Sequence, residues 1–150
     1  SDCPADTYRD TDGHRETACL AQPTCTKGEK MSPDTKEAAR TCSDCPANTY
    51  RDTDGHRETA CVAQATCNKG EFISADTDEA VRTCSACPDN TYRDTDDHRE
   101  TSCVAQPTCN KGELMSADTK QAVRTCSACP ANTYRDTDAH RETACVTQTT

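Results

Sequence analysis

Fourteen cysteines are the most reactive side chains of this chain, because paired thiols form disulfides or bind metal ions. They recur every 42 residues as C-x15-C-x5-C-x16-C-x2-C, through a little over three and a half copies. A fixed period of this size is typical of a repeat array. The positions are Cys3, Cys19, Cys25, Cys42, Cys45, Cys61, Cys67, Cys84, Cys87, Cys103, Cys109, Cys126, Cys129 and Cys145.

Disulfides are the favoured use of these thiols, because the chain has few residues with which to build an apolar core. Leu, Ile, Val and Phe supply 9 of 150 residues, Trp is absent, and the net charge is -9. Without cysteine such a composition is typical of disorder. A disulfide that closes a loop of about 15 residues is worth roughly 3 kcal/mol in the chain-entropy model. The composition therefore predicts a small disulfide-rich fold, stabilised covalently rather than by a packed core.

The pairing follows if every thiol of the segment is paired inside it. Four cysteines per repeat pair in three ways, and sequence does not normally choose among them. The last partial copy holds only Cys129 and Cys145, so under that condition each cysteine pairs with the next, from Cys3–Cys19 to Cys129–Cys145. This scheme predicts an elongated tandem array of one-disulfide beads, with short β pieces and little regular secondary structure. The predicted repeats are residues 1–44, 45–86, 87–128 and 129–150.

Zinc is the competing use of the cysteines. The C-x2-C pairs lie 39 residues apart with other cysteines between them, whereas a zinc ribbon needs two such pairs about 15–20 residues apart. The histidines stand alone in charged stretches. They are His14, His56, His98 and His140. No cofactor is expected.

A weaker metal hypothesis concerns calcium. Carboxylates suit a hard cation, and Asp94, Asp96 and Asp97 lie close together in sequence. The tract does not match an EF-hand, because counting from the equivalent Asp52 places Arg57 and Ala63 where that loop needs Gly and Glu. A solvated turn with local ion pairs is the favoured interpretation of this tract.

Large apolar residues follow each Lys-Gly pair, where little core is available to receive them. Two roles are open: they cover a junction between beads, or they contact a neighbouring chain. Lys30 occupies the same position in the first copy, which indicates partial exposure. The candidates for lateral contact are Met31, Phe72, Ile73, Leu114 and Met115. A helical turn over residues 74–81 is also predicted, with Ser or Asp as its cap.

A family resemblance lies in the string Cys45-Pro-Ala-Asn-Thr-Tyr50 closed by Cys61, followed by Cys67-Asn-Lys-Gly70 closed by Cys84. It resembles the cysteine-rich repeats of the tumour necrosis factor receptor superfamily over the whole chain. The resemblance implies the family's fold and a ligand-binding ectodomain. Two departures stand against the implied function: the second module has one disulfide rather than two crossed ones, and the copies are nearly identical, with 34 of 42 positions shared between residues 45–86 and 87–128.

The function classes narrow accordingly. Dense disulfides indicate an extracellular or cell-surface location, and the repeated threonines are candidates for O-glycans. The acidic balance argues against nucleic acid and anionic membranes, and no catalytic constellation is visible, so we do not expect an enzyme. Near-identical repeats favour a structural stalk, fibre or filament that self-associates. The alternative is a receptor or adhesin ectodomain that binds a protein ligand.

Overall fold

Short hairpins make up the regular structure of this chain. The computed structural model describes residues 2–11 and 18–149, and within them all regular elements are strands of two or three residues, with no helix. They form two-stranded antiparallel sheets, β1 with β2, β3 with β4, and so on to β13 with β14. The strands are β1 (Thr7–Tyr8), β2 (Leu20–Ala21), β3 (Glu29–Met31), β4 (Cys42–Asp44), β5 (Thr49–Tyr50), β6 (Val62–Ala63), β7 (Glu71–Ile73), β8 (Cys84–Ala86), β9 (Thr91–Tyr92), β10 (Val104–Ala105), β11 (Glu113–Met115), β12 (Cys126–Ala128), β13 (Thr133–Tyr134) and β14 (Val146–Thr147).

One disulfide stands beside each hairpin, and two types of bead alternate. We call a bead with a cysteine separation of 16 an A bead and one with a separation of 17 a B bead. The tandem array of one-disulfide beads predicted from the sequence is confirmed. The A beads are closed by Cys3–Cys19, Cys45–Cys61, Cys87–Cys103 and Cys129–Cys145, and the B beads by Cys25–Cys42, Cys67–Cys84 and Cys109–Cys126.

The chain divides into two compact units. The first comprises Ser1–Ala65 with Ala75–Arg82, and the second comprises Thr66–Ser74 with Thr83–Thr150. Each unit contains both types of bead. The cores are small, as the composition predicts. In each B bead the third residue of the first strand is buried opposite a half-cystine of the second, in the pairs Met31–Cys42, Ile73–Cys84 and Met115–Cys126.

The helical turn predicted over residues 74–81 is wrong. Residues 75–82, in the first unit, have no regular structure. The Gln64 side chain forms hydrogen bonds with the backbone of this segment instead. Its Nε2 donates to the carbonyls of Thr77 at 2.8 Å and Ala80 at 2.9 Å. Its Oε1 accepts the Arg82 amide at 2.8 Å. The segment is held as an irregular loop because a buried side chain supplies the partners that a helix would find in its own backbone.

The same device recurs in the second unit. Gln106 is 2% exposed, donates to the carbonyls of Thr119 and Ala122, and accepts the Arg124 amide at 2.8 Å. Each of these glutamines lies just after the second strand of an A bead and binds the loop of the following B bead. An A bead and the next B bead are therefore joined by a buried polar side chain rather than by apolar packing.

Glycine is required at one turn of the second unit. Gly70 has φ +79°, and a Cβ there would lie 3.1 Å from Cγ of Gln121 in the next B bead. A side chain at this position would meet both backbone strain and a neighbouring side chain. Successive B beads approach each other closely at this point.

Candidate protein-binding cleft

Each B bead is joined to the following A bead by main-chain hydrogen bonds, and three junctions of this kind lie within the described residues. In the second unit Cys67 and His98 exchange two such bonds, of 2.9 and 3.2 Å, and the Ile73 amide donates to the Glu100 carbonyl at 3.0 Å. The Gly70 amide donates to the Arg93 carbonyl at 2.8 Å. The other two junctions repeat these bonds at equivalent residues.

A buried histidine completes each junction. His98 is 7% exposed, and its Nδ1 lies 3.1 Å from the Glu100 amide, which can only donate. Nδ1 is therefore an acceptor, so Nε2 carries the hydrogen and donates to the Asn68 carbonyl at 3.2 Å. His56 and His140 make the same contacts. His14, the remaining histidine, lies outside the described residues.

An apolar cleft opens at the second junction. It has a volume of about 270 Å³ and is lined mostly by apolar atoms. Phe72 of the B bead forms one wall, and the following A bead forms the rest. The Arg93 guanidinium donates to the carbonyl of Ser102 in that wall. The lining residues are Phe72, Pro88, Thr91, Thr101, Ser102 and Cys103.

The candidates for lateral contact divide into two groups. Met31, Ile73 and Met115 are 2%, 0% and 1% exposed, so they pack inside the beads and offer no surface to a neighbouring chain. The alternation of side chains along a strand explains this, since the preceding residue points to the other face. Phe72 and Leu114 are half-buried and accessible. For these two residues lateral contact stays a prediction.

The three junctions differ in the residue at the position of Phe72 and in charge. Lys30 occupies it in the first junction and Leu114 in the third. The second-unit part of the beads at the Phe72 junction, residues 67–74, 83–84 and 87–103, carries six acidic and three basic side chains, a net charge of -3. The beads at the Lys30 junction carry six of each sign, and those at the Leu114 junction five of each. One third of the net charge of -9 thus falls on the second-unit residues of one junction, whereas the other two junctions are neutral.

The structure does not bring the candidate calcium ligands together. The Oδ1 atom of Asp96 accepts the Lys69 amide at 3.1 Å, and its Oδ2 lies 3.5 Å from Lys69 Nζ. Asp94 accepts from the Thr95 hydroxyl, and Asp97 from the Thr66 hydroxyl at 3.4 Å. The hydrogen bond from the Lys69 backbone lowers the pKa of Asp96. In the structure these three carboxylates accept hydrogen bonds from neighbouring residues.

In the part of the chain that the structure describes, three clusters combine a glutamate with two cysteine sulfurs: Cys25, Glu29 and Cys42; Cys67, Glu71 and Cys84; and Cys109, Glu113 and Cys126. Their sulfurs are joined as disulfides, so they have no thiolate with which to bind zinc. The glutamate has another role. Glu29 accepts the Thr26 amide at 2.8 Å, and that bond lowers the pKa of its carboxyl.

Two other clefts are polar. One, in the first unit, is lined by residues 45–49 with Asp76, Thr77 and Asp78. The other lies beside Asp2 and Cys3 and is lined by Arg9 with residues 34–37. Neither has an aromatic ring among its lining residues, and both are lined by charged side chains. Among the described residues no helix is long and apolar enough to cross a membrane.

Sequence reasoning missed the buried glutamines and the role of the histidines, although a signal for both was present. Gln22, Gln64 and Gln106 stand three residues before the first cysteine of each B bead, and the histidines recur at one position of the A beads. A polar residue fixed at one position of every copy is consistent with a required contact. The histidines were interpreted only as lone residues in charged stretches.

No protein-family model matches this chain. No curated protein matches it in sequence. Among solved structures, it is similar to a chain of the mouse RANKL–OPG complex, with 19% identity and a TM-score of 0.38 over 93% of this chain and 98% of that one. It is also similar to a chain of the human RANKL/OPG complex, with 18% identity and a TM-score of 0.38 over 97% of this chain and 85% of that one. Similarity at this level does not show a shared function.

Proposed function

We propose that this chain is part of an extracellular or cell-surface protein whose disulfide-linked beads present a binding surface to a protein ligand. One observation carries the proposal: the Phe72 junction combines an accessible apolar cleft with a concentration of acidic residues. The resemblance to cysteine-rich receptor repeats points to the same kind of function. Density of disulfides supports the oxidising location.

Recognition accounts for this junction better than packing does. The main-chain bonds and the buried histidine recur at all three junctions, so the scaffold does not need Phe72. Lys30 occupies the same position without altering those bonds. An accessible aromatic side chain that the fold does not require is typical of a binding surface.

Selection from a phage-displayed library of random peptides tests this function. The folded chain and a reduced, alkylated chain are immobilised side by side, since reduction removes the scaffold but leaves the sequence. We expect peptides with a shared sequence pattern that bind only the folded chain. Failure to enrich any such pattern, with the folded state verified by the seven disulfides, would contradict the proposal.

A structural array is the second candidate, and a separate observation favours it. An exposed aliphatic residue follows the second cysteine of every A bead, so identical apolar positions recur every 42 residues. They are Leu20, Val62, Val104 and Val146, which are 46% to 54% exposed. Repeated surfaces of this kind can pack laterally between copies of the chain. Sedimentation at rising protein concentration tests it, and loss of assembly in Phe72→Asp or Leu114→Asp would place these two half-buried residues in the contact.

A further inference from the structure

We infer that the Phe72 cleft binds one aliphatic side chain of a partner protein, presented within a basic segment. The inference rests on the proposed function and adds the position of the site and the chemistry of its ligand. Three properties of the second unit carry it: the apolar lining, the size of the cleft and the charge of the beads that form it.

The lining and size of the cleft determine which kind of side chain can enter it. Its wall consists of a phenylalanine ring, a proline, a half-cystine and small hydroxyl residues, with mostly apolar atoms exposed. A volume of about 270 Å³ lies just below the usual range of small-molecule pockets, roughly 300–1,000 Å³. A single side chain fits such a space, and burying an aliphatic one is worth about 1.5–3 kcal/mol.

The charge of the junction determines which residues should flank that side chain on the partner protein. The second-unit residues of this junction carry a net charge of -3, and exposed acidic residues stand next to lining residues in the sequence. Asp89 follows Pro88 and its side chain is 88% exposed, although it also pairs with Lys120 at 3.4 Å. Glu100 precedes Thr101 and is exposed. A partner with lysine or arginine beside its apolar residue complements this surface and is steered toward it.

The same charge argues against a second copy of this chain as the occupant. The chain carries -9 overall, so an acidic junction meets a like-charged molecule. Like-charge contact across an interface is unfavourable and slows association. The first and third junctions, which are neutral, give no electrostatic selection of a basic partner.

One fluorine label reports on the cleft alone, because Phe72 is the only phenylalanine in the chain. Biosynthetic replacement by 4-fluorophenylalanine therefore yields a single ¹⁹F resonance at the site. The probe is the capped pentapeptide Lys-Lys-Leu-Lys-Lys, with two controls that replace the leucine by serine or all lysines by glutamates. We expect a saturable ¹⁹F shift with the leucine–lysine peptide, a response about tenfold weaker with the serine peptide, and none with the glutamate peptide.

Variants then separate the site from the rest of the molecule. Peptide affinity is measured by anisotropy of a fluorescein-labelled peptide in Phe72→Lys, which installs the residue of the first junction, and in Leu114→Lys as the matched control. We expect Phe72→Lys to lose about tenfold in affinity and Leu114→Lys to stay unchanged. Equal loss in both variants, or a ¹⁹F response that does not distinguish leucine from serine, would overturn the inference.

Failure of this inference and failure of the proposed function give different results. If library selection yields peptides that bind the folded chain without moving the ¹⁹F resonance, the chain binds protein ligands at another surface and the inference about the cleft is wrong. If selection yields no pattern while the leucine–lysine peptide shifts the resonance, the cleft accepts the side chain as inferred, but the proposed recognition of protein ligands is contradicted. If neither experiment gives binding, both proposals are wrong.

Discussion

The junctions at Phe72 and at Lys30 have one scaffold and two surfaces. In each, the first cysteine of the B bead exchanges main-chain hydrogen bonds with a buried histidine. Two further amides of the B bead donate to carbonyls at equivalent positions of the A bead. The accessible residues differ: an aromatic ring among residues with a net charge of -3 in one, and a lysine within a neutral pair of beads in the other. Because disulfides and main-chain bonds hold the beads, the accessible side chain is free to change without loss of the fold.

The largest effect should come from the part that the two junctions share. Replacing both cysteines of Cys67–Cys84 by serine removes the constraint on a loop with a separation of 17 residues. We expect a cost of about 3 kcal/mol in the free energy of unfolding, measured by urea denaturation. The same change at Cys25–Cys42, which has the same separation, should cost about as much. A large difference between the two would show that the scaffolds are not equivalent.

The next effect concerns the polar contacts that join an A bead to the next B bead. Gln106→Ala should cost about 1–3 kcal/mol, because it leaves the partly buried carbonyls of Thr119 and Ala122 and the buried Arg124 amide without their partner. Gln148→Ala is the matched control, since Gln148 is the equivalent residue and is exposed. Thermal unfolding of the two variants measures the difference. Equal melting temperatures would contradict a stabilising role for the buried glutamine.

The bead pattern could be predicted from the sequence because it depends on covalent chemistry. Cysteine spacing and the scarcity of Leu, Ile, Val and Phe were sufficient to indicate one-disulfide beads with short strands. The interior contacts could not be predicted in the same way. With little apolar material available, the fold buries Gln106, Arg124 and His98, which are residue types that hydropathy assigns to the surface.

The cleft was not predicted either, for a related reason. Phe72 and Ile73 were treated together as a pair of large apolar residues, and only the strand geometry separates the buried one from the accessible one. The charge around the junction could have been counted from the sequence. Its importance depends on knowing that the B bead of residues 67–84 and the following A bead meet at one cleft.

A smaller change in the free energy of unfolding tests whether the Phe72 side chain belongs to a binding surface rather than to the core. Phe72→Lys should change the free energy of unfolding by less than about 1 kcal/mol, because the side chain is only half-buried and lysine occupies the equivalent position of the first junction. Lys30→Phe should be equally mild. Urea denaturation of both variants measures this, and a cost of several kcal/mol for Phe72→Lys would assign the ring to the core and weaken the case for a binding role.

The smallest effect is the pH dependence of the turn contacts, in which backbone amides donate to equivalent carboxylates at both junctions. The Lys69 amide holds the pKa of Asp96 below its ordinary value, so the contribution of Asp96 to stability is present above the pKa of an unfolded aspartate, about 4, and is lost as pH falls through the lower folded value. At the Lys30 junction the Thr26 amide lowers the pKa of Glu29 in the same sense. We expect Asp96→Asn and Glu29→Gln each to lower the melting temperature slightly at pH 7 and to match the unsubstituted chain near pH 2. A deficit that persists unchanged at pH 2 would show that the carboxylate charge is not what stabilises either turn.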